Sequence, residues 1–167
     1  MRKAAEITTK GYKRVLKYMK PGVWEHELEA EFMHEFLMNR SRGFAYTPII
    51  AAGNNANVLH YIENNDECHD GDLVLFDVGA EHGNYTCDVT RCFPVNGKFT
   101  ARQAEVYNAV LSVHEGAIAL LRPGIMLDDY HKKVGELMTE ELLKLGLITA
   151  EDVANEDPAW PAYKKYF

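Results

Sequence analysis

Residues 73–93 constrain the fold more than any other stretch, because they set two carboxylates into what reads as a hairpin. Leu73 to Val78 is a short apolar run, and Tyr85 to Phe93 is rich in Thr, Val and aromatics. The polar His82-Gly83-Asn84 between them is a turn signal, so both halves read as strands. A two-residue His82-Gly83 loop sets Glu81 against Asn84, and the same register places Asp77 directly opposite Asp88. Opposed side chains of an antiparallel pair lie about 4.5–5.5 Å apart at Cβ and share one face of the sheet. Two like charges there are destabilising unless something positive lies between them. A cation resolves the conflict, and metal pairs bridged by carboxylates are a common arrangement for hydrolysis. On spacing alone the other reading stays open, in which both acids face water at a sheet edge.

The flanking segments surround this hairpin with helices. Ala4, Ile7, Thr8, Tyr12, Val15, Leu16 and Met19 recur at helical spacing over residues 3–19, ended by Pro21-Gly22. Leu28, Phe32 and Phe36 repeat the pattern from Glu25 to about Met38. Glu27, Glu31 and Glu35 form a stripe on another side, read as a solvated face. His26-Glu27 and His34-Glu35 do not make a zinc-protease helix. That motif needs a second His four residues after the first, and position 30 is Ala. Thr47–Ala52 reads as a short strand, 53–57 as a loop and Val58–Tyr61 as a brief apolar stretch. Thr100 caps a predicted helix over 101–121, with Tyr107, Val110, Leu111, Ile118 and Leu121 inward. A further helix runs from about Leu127 to Leu145, and Gly146 ends it. Helices, then strands, then helices give an α+β class: an antiparallel sheet with helices on one face, the other face carrying Asp77 and Asp88.

Composition narrows the function classes. A net charge of −7 with no basic run argues against nucleic-acid binding. No apolar stretch approaches the roughly 18 residues of a membrane span, and no apolar run follows Met1-Arg2-Lys3 as a secretory signal would require. Cys68, Cys87 and Cys92 are odd in number and lack CxxC spacing, which points to reduced thiols and a cytoplasmic protein. Strand alternation turns the Cys87 sulfur away from the side of Asp88. No phosphate-cradling glycine loop and no Ser-His-Asp order is present.

Three stretches carry a resemblance: His60-Tyr61-x-x-Asn64, then Gly71-Asp72-Leu73-Val74-Leu75-x-Asp77-x-Gly79, then Tyr85-x-x-Asp88-x-Thr90-Arg91-x-Phe93-Pro94-Val95-Asn96-Gly97-Lys98-Phe99. Together they resemble aminopeptidase P, the Xaa-Pro aminopeptidase branch of the creatinase and methionine aminopeptidase group, with its pita-bread fold. Prolidase stands close beside it. The similarity runs from about Arg2 to the last residue.

The resemblance implies hydrolysis of the bond between an N-terminal residue and proline, in a peptide with proline at its second position. It implies five ligands (two Asp, one His, two Glu) holding two divalent ions, usually manganese. Asp77 and Asp88 match the two Asp positions. The remaining His and two Glu lie, in the family, just past a segment that Tyr163–Phe167 resembles, so residues 1–167 are expected to be a single partial catalytic domain, the first half of a pita-bread domain. His60 matches a histidine that hydrogen-bonds substrate. Thr90, two residues past Asp88, is expected to orient a carboxylate, and Tyr46 to border the pocket, with core packing an equal expectation for it. Arg91 is expected on the other face in a structural role. A domain lacking its second half should expose a sheet edge and an apolar flank, so a homo-oligomer is expected. Two rival classes share the fold: metal-free enzymes such as creatinase, and non-catalytic binding modules. Retention of Asp77 and Asp88 counts against the first, and retention of that pair with His60 counts against the second.

Overall fold

The computed structural model describes residues 1–166 as two compact units, Met1–Phe99 and Thr100–Phe167. In the first unit, α1 (Arg2–Tyr18) buries Ala4, Ile7, Thr8, Gly11, Tyr12 and Val15, one stripe at spacings of three and four. α2 (Glu25–Met38) buries Glu25, Leu28, Phe32 and Phe36. The two helices meet most closely at Gly11, where a Cβ would lie 2.7 Å from Phe32 and 2.8 Å from Phe36. The acidic stripe of α2 is not the solvated face the sequence suggested. Glu31 and Glu35 are half-buried and pair with Arg14 of α1, while the Glu27 carboxylate accepts the Trp24 N–H at 2.6 Å.

Three antiparallel strands follow: β1 (Ile49–Ala52), β2 (Leu73–Val78) and β5 (Val89–Pro94), with β2 central. A short hairpin, β3 (Glu81–His82) and β4 (Tyr85–Thr86), connects β2 to β5. Strand alternation divides the sheet. Ile50, Ala52, Val74, Phe76 and Val78 join Ile7, Tyr12, Val15, Leu28, Phe32 and Phe36 in one core. Tyr12, Phe32 and Phe76 pack edge to face, with ring centroids 5.1–6.1 Å apart. Helices thus cover one face, and Asp77 lies on the other, as the α+β reading requires.

The second unit holds α3 (Ala101–Leu120), α4 (Leu127–Lys144) and α5 (Ala150–Ala154). Thr100 caps α3: its hydroxyl accepts the Gln103 N–H at 3.2 Å, and the Gln103 side chain accepts the Thr100 N–H at 2.8 Å. α3 and α4 approach at Gly116, where a Cβ would meet Leu137 at 2.8 Å. The inward face predicted for α3 is corrected. Val110, Leu111, Ile118 and Leu121 are exposed, and Ala109 is the buried residue of that helix. α3 carries apolar residues on more than one side, so periodicity alone did not say which side α4 covers. No described helix is long and apolar enough to cross a membrane.

Candidate metal centre

Turn chemistry decides where the two carboxylates emerge. Gly83 and Asn84 have φ of 62° and 66°. Positive φ at both central residues defines the two-residue turn whose twist matches the flanking strands, and Gly and Asn are residues that favour it. The loop is therefore Gly83-Asn84, not His82-Gly83, and Glu81 faces Thr86. The same register pairs Asp77 with Thr90 rather than with Asp88. Asp88 lies one residue before β5.

The two acids nonetheless converge. The Tyr46 hydroxyl lies 2.6 Å from Asp77 Oδ1 and 3.2 Å from Asp88 Oδ1. A phenol has one proton, so Tyr46 donates to Asp77 and offers Asp88 only the longer contact. Burial, followed by the hydrogen bond to Asp77, holds the Tyr46 hydroxyl well above the usual tyrosine range, so it stays a donor. Backbone bonds fix the Tyr46 segment to the end of β2. Ala45 N–H donates to Gly79 O at 2.8 Å, and Glu81 N–H donates to Gly43 O at 3.1 Å.

Gly79 permits the strand crossing beside Asp88. A Cβ there would stand 1.8 Å from the Cys87 carbonyl oxygen, a position no side chain can occupy. Cys87 Sγ meets Thr8 Oγ1 at 2.9 Å on the helix side, away from the carboxylates. Thr90 is exposed on β5 opposite Asp77, so it shares the carboxylate face. Arg91 follows on the alternate face, opposite Phe76, and donates to the Thr90 carbonyl at 2.7 Å.

His60 occupies a different setting. It is exposed, at φ 55°, in the segment after a 3-10 turn (Gly53–Asn57), with no hydrogen-bond partner among the described residues. Two buried polar residues anchor that segment. Glu25 accepts the Ala52 and Asp66 N–H groups, the Asn55 amide and the Tyr61 hydroxyl. Asn64 takes the Ile50 N–H at 2.9 Å and donates to Pro48 O at 3.0 Å and Glu29 at 2.9 Å. Neither role was foreseen from sequence. The only hint was that Tyr61 and Asn64 stand in the same short motif as His60.

The donor chemistry fits part of a divalent-ion site. Asp77 and Asp88 bring two hard carboxylates to one hydroxyl, where a shared cation would supply the positive charge that a neutral phenol does not. Among the described residues no third His, Cys, Asp or Glu joins them.

The chain belongs to metallopeptidase family M24, whose model matches residues 1–165. Xaa-Pro aminopeptidase of Escherichia coli is 40% identical over 167 residues, all of this chain and 37% of that protein. Human Xaa-Pro aminopeptidase 3 is 37% identical over 166 residues, 99% of this chain and 32% of that protein. Proline aminopeptidase P II from Yersinia pestis superposes with a TM-score of 0.85 at 41% identity, covering 89% of this chain and 34% of that one. The fold is therefore part of the pita-bread fold of these proteins, and the chain spans about a third of the length of the relatives it matches.

Proposed function

We propose that this chain is the first half of the catalytic domain of an Xaa-Pro aminopeptidase, which releases an N-terminal residue from a peptide with proline at its second position. The observation that carries the reading is the convergence of Asp77 and Asp88 on the Tyr46 hydroxyl, in a chain 40% identical to an Xaa-Pro aminopeptidase along its whole length. Asp77 and Asp88 would hold two divalent ions, manganese in this proposal, completed by one His and two Glu from outside residues 1–167. When bound, such ions supply Lewis-acid activation of the scissile carbonyl and of the attacking water. Tyr46 keeps its proton and orients the Asp77 carboxylate. Thr90, paired with Asp77 across the strands and on the same face, is assigned a second orienting role. His60 is assigned the substrate hydrogen bond that steadies the developing oxyanion.

Three free cysteines suit a reducing, cytoplasmic setting, and the exposed Val110, Ile118 and Leu121 suit a homo-oligomer. The test is an assay of Xaa-Pro peptides on the protein carrying this segment with its remaining ligands, with chelator, with manganese restored, and with Asp77→Asn. Chelator and Asp77→Asn should each abolish cleavage. Cleavage that chelator leaves untouched refutes the metal reading, and cleavage confined to dipeptides reassigns the protein to the prolidases.

A further inference from the structure

The helix-covered side of the sheet carries hydroxyl contacts that core packing does not explain. Thr8 and Tyr12 lie one turn apart on the buried face of α1, Tyr12 reaching β2 and β5 and Thr8 the residues just beyond their ladder. The Tyr12 hydroxyl lies 2.7 Å from the Val89 carbonyl oxygen and 3.2 Å from that of Phe76. Val89 adjoins Asp88, and Phe76 adjoins Asp77. Thr8 Oγ1 donates to Ala4 O at 3.1 Å, which leaves both its lone pairs for the strands. One accepts the Ala80 N–H at 2.9 Å, and the other meets the Cys87 thiol at 2.9 Å. Cys87 adjoins Asp88 on its other side.

The Thr8 contacts fall where the regular ladder is interrupted, and the Tyr12 contacts fall on the end of the ladder beside it. The β2–β5 register ends at Val78 and Val89, and the β3–β4 register begins at Glu81 and Thr86. Between them the strands have no ladder register of their own, and Gly79 alone lets the Cys87 carbonyl come close. Burial holds the Tyr12 hydroxyl far above the usual tyrosine range, so it remains a donor at any working pH.

We infer that the Thr8 and Tyr12 hydroxyls are positioning groups for the Asp77/Asp88 pair, fixing from behind the sheet the backbone from which both carboxylates reach a divalent ion. This rests on the reading of Asp77 and Asp88 as metal ligands. The Tyr12 ring packs against Phe32 and Phe76 and is structural in its own right, so the test must remove the hydroxyl and keep the ring.

The variants are Tyr12→Phe and Thr8→Val, with Thr8→Ser as the version that keeps the hydroxyl and Tyr18→Phe as a control, an exposed hydroxyl of the same helix facing Glu27. Each is made in the protein carrying this segment with its remaining ligands. Manganese affinity is read by calorimetry, and kcat and KM on an Xaa-Pro peptide. Loss of an orienting partner beyond the ligands typically costs 10–100-fold in metal affinity or activity, and acting one bond further out places this effect near tenfold. Tyr12→Phe and Thr8→Val should weaken manganese binding and lower kcat by about that factor with KM unchanged, while Thr8→Ser and Tyr18→Phe keep parental values. Should Thr8→Val not fold, Tyr12→Phe decides alone. Manganese affinity and kcat within twofold of the parent for Tyr12→Phe, with Asp77→Asn abolishing binding, overturns the inference and leaves the metal reading standing. Asp77→Asn that binds manganese as the parent does overturns the metal reading instead.

Discussion

Replacing Glu25 by Gln should loosen the segment that carries His60, by an amount the hydrogen bonds fix. Glu25 is fully buried, and its carboxylate serves four donors. Oε1 accepts the Ala52 N–H at 2.7 Å and the Asn55 amide at 3.1 Å; Oε2 accepts the Tyr61 hydroxyl at 2.7 Å and the Asp66 N–H at 3.0 Å. A glutamine has the same shape but only one acceptor oxygen. Asn55 can turn its amide and Tyr61 can turn its hydroxyl to accept from the new NH2. A backbone N–H cannot turn. Whichever way the Gln amide is placed, either Ala52 or Asp66 faces another donor. One stranded backbone N–H costs about 1–3 kcal/mol, and Glu25→Ala, which strands both, roughly 2–6 kcal/mol.

Amide hydrogen exchange reads this residue by residue, which suits a chain of two compact units better than a single melting temperature. In Glu25→Gln the stranded amide, Ala52 or Asp66, should exchange about 5- to 150-fold faster, the same 1–3 kcal/mol expressed as a ratio. Glu6→Gln removes an equal charge from an exposed pair with Lys3 and should change nothing measurable. If Glu25→Gln exchanges at those two amides no faster than Glu6→Gln, the carboxylate is not the acceptor on which residues 53–66 depend.

Gly79→Ala should be among the most damaging single substitutions in the first unit, at or above the 1–3 kcal/mol typical of overpacking, because its Cβ would collide with backbone rather than with a side chain that can swing away; thermal unfolding checks it, and a Tm within a degree of the parent refutes the strand crossing. Asn84→Ala should cost about 1 kcal/mol at φ 66° while Asn84→Gly is neutral or better, measured by urea unfolding. In alkali, burial and then the Glu25 hydrogen bond push the Tyr61 phenol from 10.0 up to about 12. Between those values the folded chain keeps a proton that the unfolded chain has lost, so its contribution to stability is whole below pH 10.0 and lost as pH rises through about 12. Unfolding midpoints collected over that range should fall less steeply in Tyr61→Phe, and parallel curves would show that Tyr61 does not carry the effect.

Much of this fold was legible because period and punctuation agreed. The short apolar run Leu73–Val78 and the helices of Arg2–Tyr18 and Glu25–Met38 appear where apolar spacing and the Pro21-Gly22 break place them. What could not be read depended on a partner. The apolar residues of α3 do not name the side α4 takes, and Glu31 and Glu35 look solvated until Arg14 of another helix is placed against them. Glu25 is the sharpest case. A carboxylate in a first helical turn is the expected surface residue, and only the return of residues 52–66 across it turns that charge into the centre of a buried network.

The two carboxylates came through an error that could have separated them, for a geometric reason. Moving a hairpin turn by one residue shifts every cross-strand partner by two. Side chains alternate faces with a period of two, so a shift of two changes the partner and keeps the face. Asp77 thus lost Asp88 as its direct partner and gained Thr90, yet Asp88 stayed on the same side, within reach of the same Tyr46 hydroxyl. Had the slip been an odd number of residues, as a bulge would make it, one carboxylate would have turned into the aromatic core around Phe76. The face of a residue in a hairpin is therefore a sturdier inference from sequence than its partner. The partner is supplied by turn chemistry, here the two positive-φ residues Gly83 and Asn84. The meeting point is supplied by a third segment, residues 43–46, that no hairpin rule describes.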